Sequence, residues 1–132
     1  ILIQKLDTLA RTDLLTGLSN RRETLDRLDA EQSRFKRTHK PFSVIIADVD
    51  HFKKVNDTHG HEAGDTVLKT LSAALKNHIR NIDNASRWGG EELLTRILHE
   101  KKVANSFQAC KIRLSANSKK GIRHDKLYSR KD

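Results

Sequence analysis

Two short acidic stretches hold the residues best suited to chemistry. One is Asp48 and Asp50, which close the run FSVIIADVD at residues 42–50. The other is Gly89-Gly90-Glu91-Glu92, inside SRWGGEEL at residues 86–93. An acid at the end of one strand and two acids at a hairpin tip converge if the strands are sheet neighbours. Carboxylates arranged that way hold Mg2+, which takes oxygen ligands and keeps positions open for substrate phosphates. With two such ions a site suits in-line nucleotidyl transfer: one activates the attacking oxygen and the other steadies the leaving phosphates. Lys53 and Lys54 follow the first run directly and can meet phosphate charge, as can backbone N–H groups of a helix starting near residue 51. Asn56 and Asp65 have the donors and acceptors to read a purine edge. Each residue also has a plainer reading: a solvated acid at a strand end, an ordinary hairpin, or loop and cap residues at Asp57, His59, His61 and Asp65. His59 and His61 stand two apart with no second His or Cys pair in a zinc pattern, so zinc is not expected.

These residues need elements to position them. Ile1 or Leu2, Leu6 and Leu9 fall near helical spacing, as the end of an amphipathic helix arriving from upstream. Gly17 and the Ser19-Asn20 pair break it. Asn20 with Glu23 three residues on resembles a capping box, so a helix is expected from about Arg21 to Thr38, with Leu25, Leu28 and Phe35 on one side. Pro41 closes the loop. Residues 42–50 are apolar, rich in β-branched side chains and short, which predicts a strand buried on both faces. Its residues 48 and 50 share a face. A short helix is expected over 51–57. Val67, Leu68, Leu71, Ala74, Leu75 and Ile79 predict the strongest helix of the chain, over about 62–79. Residues 81–94 read as strand, two-residue Gly-Gly turn with positive φ angles, strand. Val103, Phe107, Cys110 and Leu114 are helix-spaced and predict a helix over 101–116. No periodicity follows Ala116.

At 132 residues the chain is long enough for one domain with a real core. No apolar run approaches the roughly 20 residues of a membrane span, and no signal peptide is present. The chain begins at Ile1 and has no Met, as expected of a piece of a longer product. A single cysteine, Cys110, excludes an intrachain disulfide and fits a reducing compartment. The net charge of +9 belongs to one end: residues 1–93 hold 15 Lys/Arg and 14 Asp/Glu, whereas residues 94–132 hold 11 and 3. That basic end reads as a solvated tail. It has no interleaved aromatics and no nucleic-acid motif, so a nucleic-acid partner is not expected.

Taken in order, LARTDLLTGLSNRR (9–22), ADVDHFKKVNDTHGHEAGD (47–65) and SRWGGEEL (86–93) resemble the GGDEF domain of bacterial diguanylate cyclases, over about residues 6–93. The resemblance implies an α/β (α+β) fold: a five-stranded sheet flanked by helices, similar to nucleotidyl cyclases and polymerase palm domains. It implies a homodimer whose two domains face each other, each holding one GTP, with Mg2+ or Mn2+ as cofactor. Each ribose 3′-OH then attacks the other GTP's α-phosphate, giving cyclic di-GMP and pyrophosphate. Carried over, Asp48, Glu91 and the Val49 carbonyl are metal ligands, and Glu91 is also the candidate base. Lys53 stabilises phosphate charge. Asn56, His61 and Asp65 contact substrate, with Asn56 and Asp65 on guanine. Gly89, Gly90 and Glu92 complete the signature, whose fifth position is Leu93 where Phe is usual. Arg80 and Asp83, five residues before the Gly-Gly pair, match an inhibitory site for cyclic di-GMP; a salt bridge at a helix end is the alternative. The first eleven residues resemble the linker to an upstream sensor domain, and the location implied is cytoplasmic, with any membrane anchor lying upstream.

Past Leu93 the resemblance weakens. The next strand would be LLTRILHE, which puts Arg96 where burial without a partner is costly. The segment VANSFQACKIR keeps a family-like placement of Ala109, Ile112 and Arg113. LSANSKKGIRHDKLYSRKD (114–132) resembles no part of the family. The expectation is therefore a linker helix at 1–11, a partial domain at 12–116 and a disordered basic tail at 117–132. That describes a truncated or frame-disrupted copy whose sheet lacks a strand and exposes an edge. Such a chain is either a cyclase or a catalytically silent module that still holds GTP or cyclic di-GMP.

Overall fold

The structure, a computed structural model, describes residues 1–99, 108–115 and 127–128. Its elements are α1 (Leu2–Arg11), α2 (Arg21–Thr38), β1 (Phe42–Asp50), α3 (Phe52–His59), α4 (His61–His78), β2 (Asn84–Arg87), β3 (Glu92–Leu98), β4 (Gln108–Ser115) and β5 (Leu127–Tyr128). Among the described residues the strands form one five-stranded sheet in the order β2-β3-β1-β4-β5. β1 pairs antiparallel with β3 and parallel with β4. β2–β3 and β4–β5 are antiparallel pairs.

Local chemistry sets the helix ends. The Asn20 side chain accepts the Glu23 N–H at 3.0 Å, so α2 begins where its cap dictates. It ends at His39, whose left-handed backbone lets its N–H reach the Phe35 carbonyl at 2.8 Å. Pro41 then leads into β1. Gly60, at φ 87°, breaks α3 from α4 and allows the two helices to fold back on each other.

Both faces of the sheet are covered, as the apolar run of β1 requires. Ala47 and Leu93 lie on one face with Leu18 and Ala85, under Leu71 and Leu75 of α4. Phe42, Val44 and Leu94 lie on the other, under Leu28 and Phe35 of α2. Alternation along the strands accounts for the split. It also places Asp48, Glu92 and Arg96 on the α2 face, because they share parity with Val44 and Leu94.

Several expectations change. Leu25 does not join the apolar side of α2; it is 46% exposed, and Thr24 and Glu31 are buried instead. The short helix runs to His59 rather than 57. The hairpin connection is not a two-residue turn: Trp88 and Gly89 both donate to the Glu92 carbonyl, at 2.8 and 3.2 Å, so Gly89, Gly90 and Glu91 bulge out together. Neither glycine takes a positive φ, since among the described residues those fall at Gly17, Gly60, His39 and His51. The helix expected over 101–116 is replaced, where it is described, by β4. Cys110, Ile112 and Leu114 alternate with Lys111, Arg113 and Ser115, and this period of two prevails because β1 offers an edge to pair with. With β4 paired to β1 the sheet keeps five strands, against the expected loss of one. Most of the predicted tail at 117–132 lies outside the described residues; its residues 127 and 128 form β5.

Arg96 is 8% exposed and is not alone. Its guanidinium meets the Glu31 carboxylate at 3.2 Å and donates to the Ile82 carbonyl at 3.0 Å. Glu31 also binds Arg34 at 2.8 Å. Burial pushes the Arg96 guanidinium down from its ordinary value, against the opposing pull of Glu31. The Arg96 Nε has no hydrogen-bond partner.

Candidate functional site

The register of β1 and β3 builds the site. Asp48 lies directly opposite Glu92, and the Val49 N–H donates to the Glu91 carbonyl at 3.1 Å. A strand residue directs its N–H and C=O to the same side, so the Val49 carbonyl also faces the hairpin tip. Asp48, Glu91, Glu92 and the Val49 backbone are thus brought to one end of two neighbouring strands. Glu91 is exposed, Asp48 and Glu92 are half-buried, and the Val49 side chain is buried. Among the described residues no three His, Cys, Asp or Glu side chains form a cage for an ion. Asp48, Glu91 and the Val49 carbonyl are oxygen donors, the type of ligand that Mg2+ takes.

The chain leaves β1 through His51, whose left-handed backbone (φ 55°) turns strand into helix in one residue. No side chain caps the start of α3. Its first N–H groups therefore lie just past the carboxylate end of β1, where they and the exposed Lys53 can attract phosphate. The α3–α4 corner holds the base-reading candidates. Asn56 packs against Gly64, the residue preceding Asp65, and its Oδ1 is buried without a hydrogen-bond partner. His61 and Asp65, in the first turns of α4, are exposed.

Two residues that sequence reasoning passed over hold the hairpin. Arg87 donates to the Gly90 carbonyl from Nη2 at 2.9 Å and Nε at 3.2 Å, and its Nη1 meets Asp13 at 3.3 Å. Asp13 in turn accepts the Thr16 N–H at 2.9 Å and hydroxyl at 2.7 Å. Burial works to raise the Asp13 carboxyl, but Thr16 and Arg87 outweigh it and hold it below the usual carboxylate range. Ser19 bonds β2 on either side of Ser86, accepting from Arg87 N–H and donating to the Ala85 carbonyl. The 12–20 segment therefore extends the sheet edge and reaches the signature turn. The clue was a charged residue two positions before the Gly-Gly pair. Arg21 also stacks over Trp88, 4.4 Å from the ring centre.

Arg80 and Asp83 pair with each other, through Nε–Oδ2 and Nη2–Oδ1 contacts of 3.0 Å each. Asp83 also accepts the Arg80 and Leu98 N–H groups, which fixes the end of β3. Burial would raise its carboxyl, and these donors lower it further than burial raises it. The Asp83 side chain is almost fully buried while the Arg80 side chain is half exposed. Beside them lies a cavity of about 220 Å³ lined by Leu18, Ser19, Lys76, Arg80 and Asn84.

The model of the family described as "Diguanylate cyclase, GGDEF domain" matches residues 10–128, beyond the point near residue 93 where the motifs fade. The response regulator PleD of Caulobacter vibrioides is 41% identical over 100 residues, covering 76% of this chain and 22% of PleD. The crystal structure of the diguanylate cyclase SiaD, in complex with its activator SiaC from Pseudomonas aeruginosa, superposes with a TM-score of 0.68 at 40% identity, covering 76% of this chain and 38% of that one. The GGDEF domain of DgcB from Caulobacter crescentus, in complex with c-di-GMP, superposes with a TM-score of 0.67 at 34% identity, covering 70% and 54%. The chain thus spans about a fifth of PleD's length. Among the described residues no helix is long and apolar enough to cross a membrane.

Proposed function

This chain belongs to the GGDEF family of diguanylate cyclases, and from that premise we propose that it binds GTP and condenses two molecules into cyclic di-GMP and two pyrophosphates. The observation that supports this best is the β1–β3 register, which sets Asp48 opposite Glu92 and hydrogen-bonds Val49 to Glu91. Asp48, Glu91 and the Val49 carbonyl would hold Mg2+ or Mn2+, which when bound supplies positive charge at the phosphates. Lys53 and the α3 N-terminus add positive charge at the same end. Asn56 and Asp65 read guanine from the α3–α4 corner, with His61 beside them.

The chemistry is two displacements. A ribose 3′-oxygen bonds to the α-phosphorus of the facing GTP, its proton passes to Glu91, and pyrophosphate leaves with the electrons of the broken bond. Each site holds one GTP, so the reaction needs a second copy of the domain facing the first. Upstream sensing segments would set that approach, in the cytoplasm where GTP is available.

A second reading is binding without turnover. The cavity beside the half-exposed Arg80 favours it, and the DgcB domain is described in complex with c-di-GMP. Calorimetry separates the readings. GTP heats that require Mg2+, accompanied by product, are expected of the cyclase. Binding of GTP or cyclic di-GMP with no product would support the silent module, and binding of neither would overturn both.

A further inference from the structure

Gly64 sits inside a helix, where alanine is the better residue and glycine needs a reason. It is the fourth residue of α4 and is buried. Backbone freedom is not the reason, because Gly64 is not among the residues at positive φ. Space is. A Cβ at this position would lie 1.8 Å from Asn56 Oδ1, 2.9 Å from its Cγ and 3.1 Å from Phe52 Cζ. The Asn56 amide occupies the volume that any other residue's side chain would fill.

That amide gains little from the chain itself. Its Oδ1 is buried and accepts no hydrogen bond. A buried acceptor left unpaired is unfavourable, so the chain's own packing does not explain an asparagine here. An outside N–H donor would, met by a turn of the amide within the space over Gly64. Asp65 follows Gly64 directly, which puts a carboxylate, an acceptor of N–H donors, at the same corner. An amide and a carboxylate carried at one corner suit a base edge with two adjacent donors and a carbonyl, as guanine has and adenine lacks.

Resting on the GTP reading above, we infer that Gly64 is a positioning residue for base selectivity: its missing Cβ keeps the Asn56 amide at the α3–α4 corner beside Asp65. A methyl group at 64 drives the amide out of that corner. It leaves Asp48, Lys53 and the hairpin untouched, so the triphosphate end of the site keeps its contacts.

The test compares the parent chain with Gly64→Ala, Asn56→Ala and the double variant, by calorimetry with GTP and ATP in Mg2+ and by thermal melts. Gly64→Ala should weaken GTP about tenfold or more and change ATP less than about twofold. The double variant should bind GTP no worse than Asn56→Ala alone. Gly64→Ala should lower the melting temperature when Asn56 is present, and leave it unchanged or raise it when residue 56 is alanine. Equal losses for GTP and ATP, additive losses in the double variant, or the same melting shift in both backgrounds would overturn the inference. Parent affinity reports on the GTP reading, and the ratio of variant to parent reports on Gly64. A parent that binds no GTP removes both.

Discussion

Glu91 is exposed at the hairpin tip, with its carbonyl fixed by the Val49 N–H. Changing the carboxylate to an amide keeps that backbone contact and removes only the charge and the basic oxygen. Glu91→Gln should therefore lower cyclic di-GMP formation about 100-fold or more with the melting temperature unchanged; turnover within a few-fold of the parent would remove Glu91 from its role. Other carboxylates serve stability. At Asp13 and Asp83 burial works to raise the carboxyl, but donors led by Thr16 and Arg80 hold it low; at Glu23 the Arg27 hydrogen bond leads the lowering. A carboxyl that titrates lower in the folded state binds fewer protons there, so acid favours unfolding. The stabilisation is complete above the unfolded values of about 4 and is lost as pH falls through the lower folded values. Urea midpoints should hold above about pH 5 and drop below about 4, with a shallower acid limb in Asp83→Asn. A midpoint that rises in acid would contradict this. At this scale the metal-end acids were legible because they punctuate apolar runs. Asp13 and Arg87 were not, because their partnership spans 74 residues and no local spacing records it.

The elements hold these residues by a few polar ties. Arg87 links the 12–20 segment to the Gly90 carbonyl, so Arg87→Ala should loosen the hairpin and cost about 1–2 kcal/mol in urea melts; no loss of stability would mean the tie is idle. The α2–β3 contact carries the Glu31–Arg96 pair. Removing Arg96 leaves Glu31 buried with Arg34 as its remaining partner, so Arg96→Ala should cost about 2 kcal/mol. Replacing both with leucine should come within about 1 kcal/mol of the parent or exceed it. A double variant less stable than the single would contradict that reading. The helix limits of α2 and α4 could be read from the Asn20 cap and the i, i+3, i+4 apolar pattern, since both are local signals. β4 could not. Val103, Phe107, Cys110 and Leu114 satisfy helical spacing, and it is the pairing of Cys110 and Leu114 with β1 that decides for the alternating pattern where the chain is described. The partner of Arg96 was equally hidden, because Glu31 lies 65 residues away on a helix whose apolar face was all that its sequence advertised.

Across the whole molecule, one sheet carries helices on both faces, and the family match over residues 10–128 spans all five of its described strands. α1 lies outside the body, with Ile1, Leu2, Ile3, Leu6 and Leu9 all exposed. It is tied at its last turn, where Arg11 meets Glu23 at 2.6 Å and Asp26 at 3.2 Å. The proposed reaction needs two GTP-loaded copies, so its rate per chain depends on how often copies meet. The most direct measurement is cyclic di-GMP formed from GTP and Mg2+ by the purified chain, followed across a range of protein concentrations. The cyclase reading predicts one cyclic di-GMP for every two pyrophosphates, with activity per chain rising as concentration rises and disappearing in Glu91→Gln. GTP bound by the folded chain with no cyclic di-GMP at any concentration would contradict it.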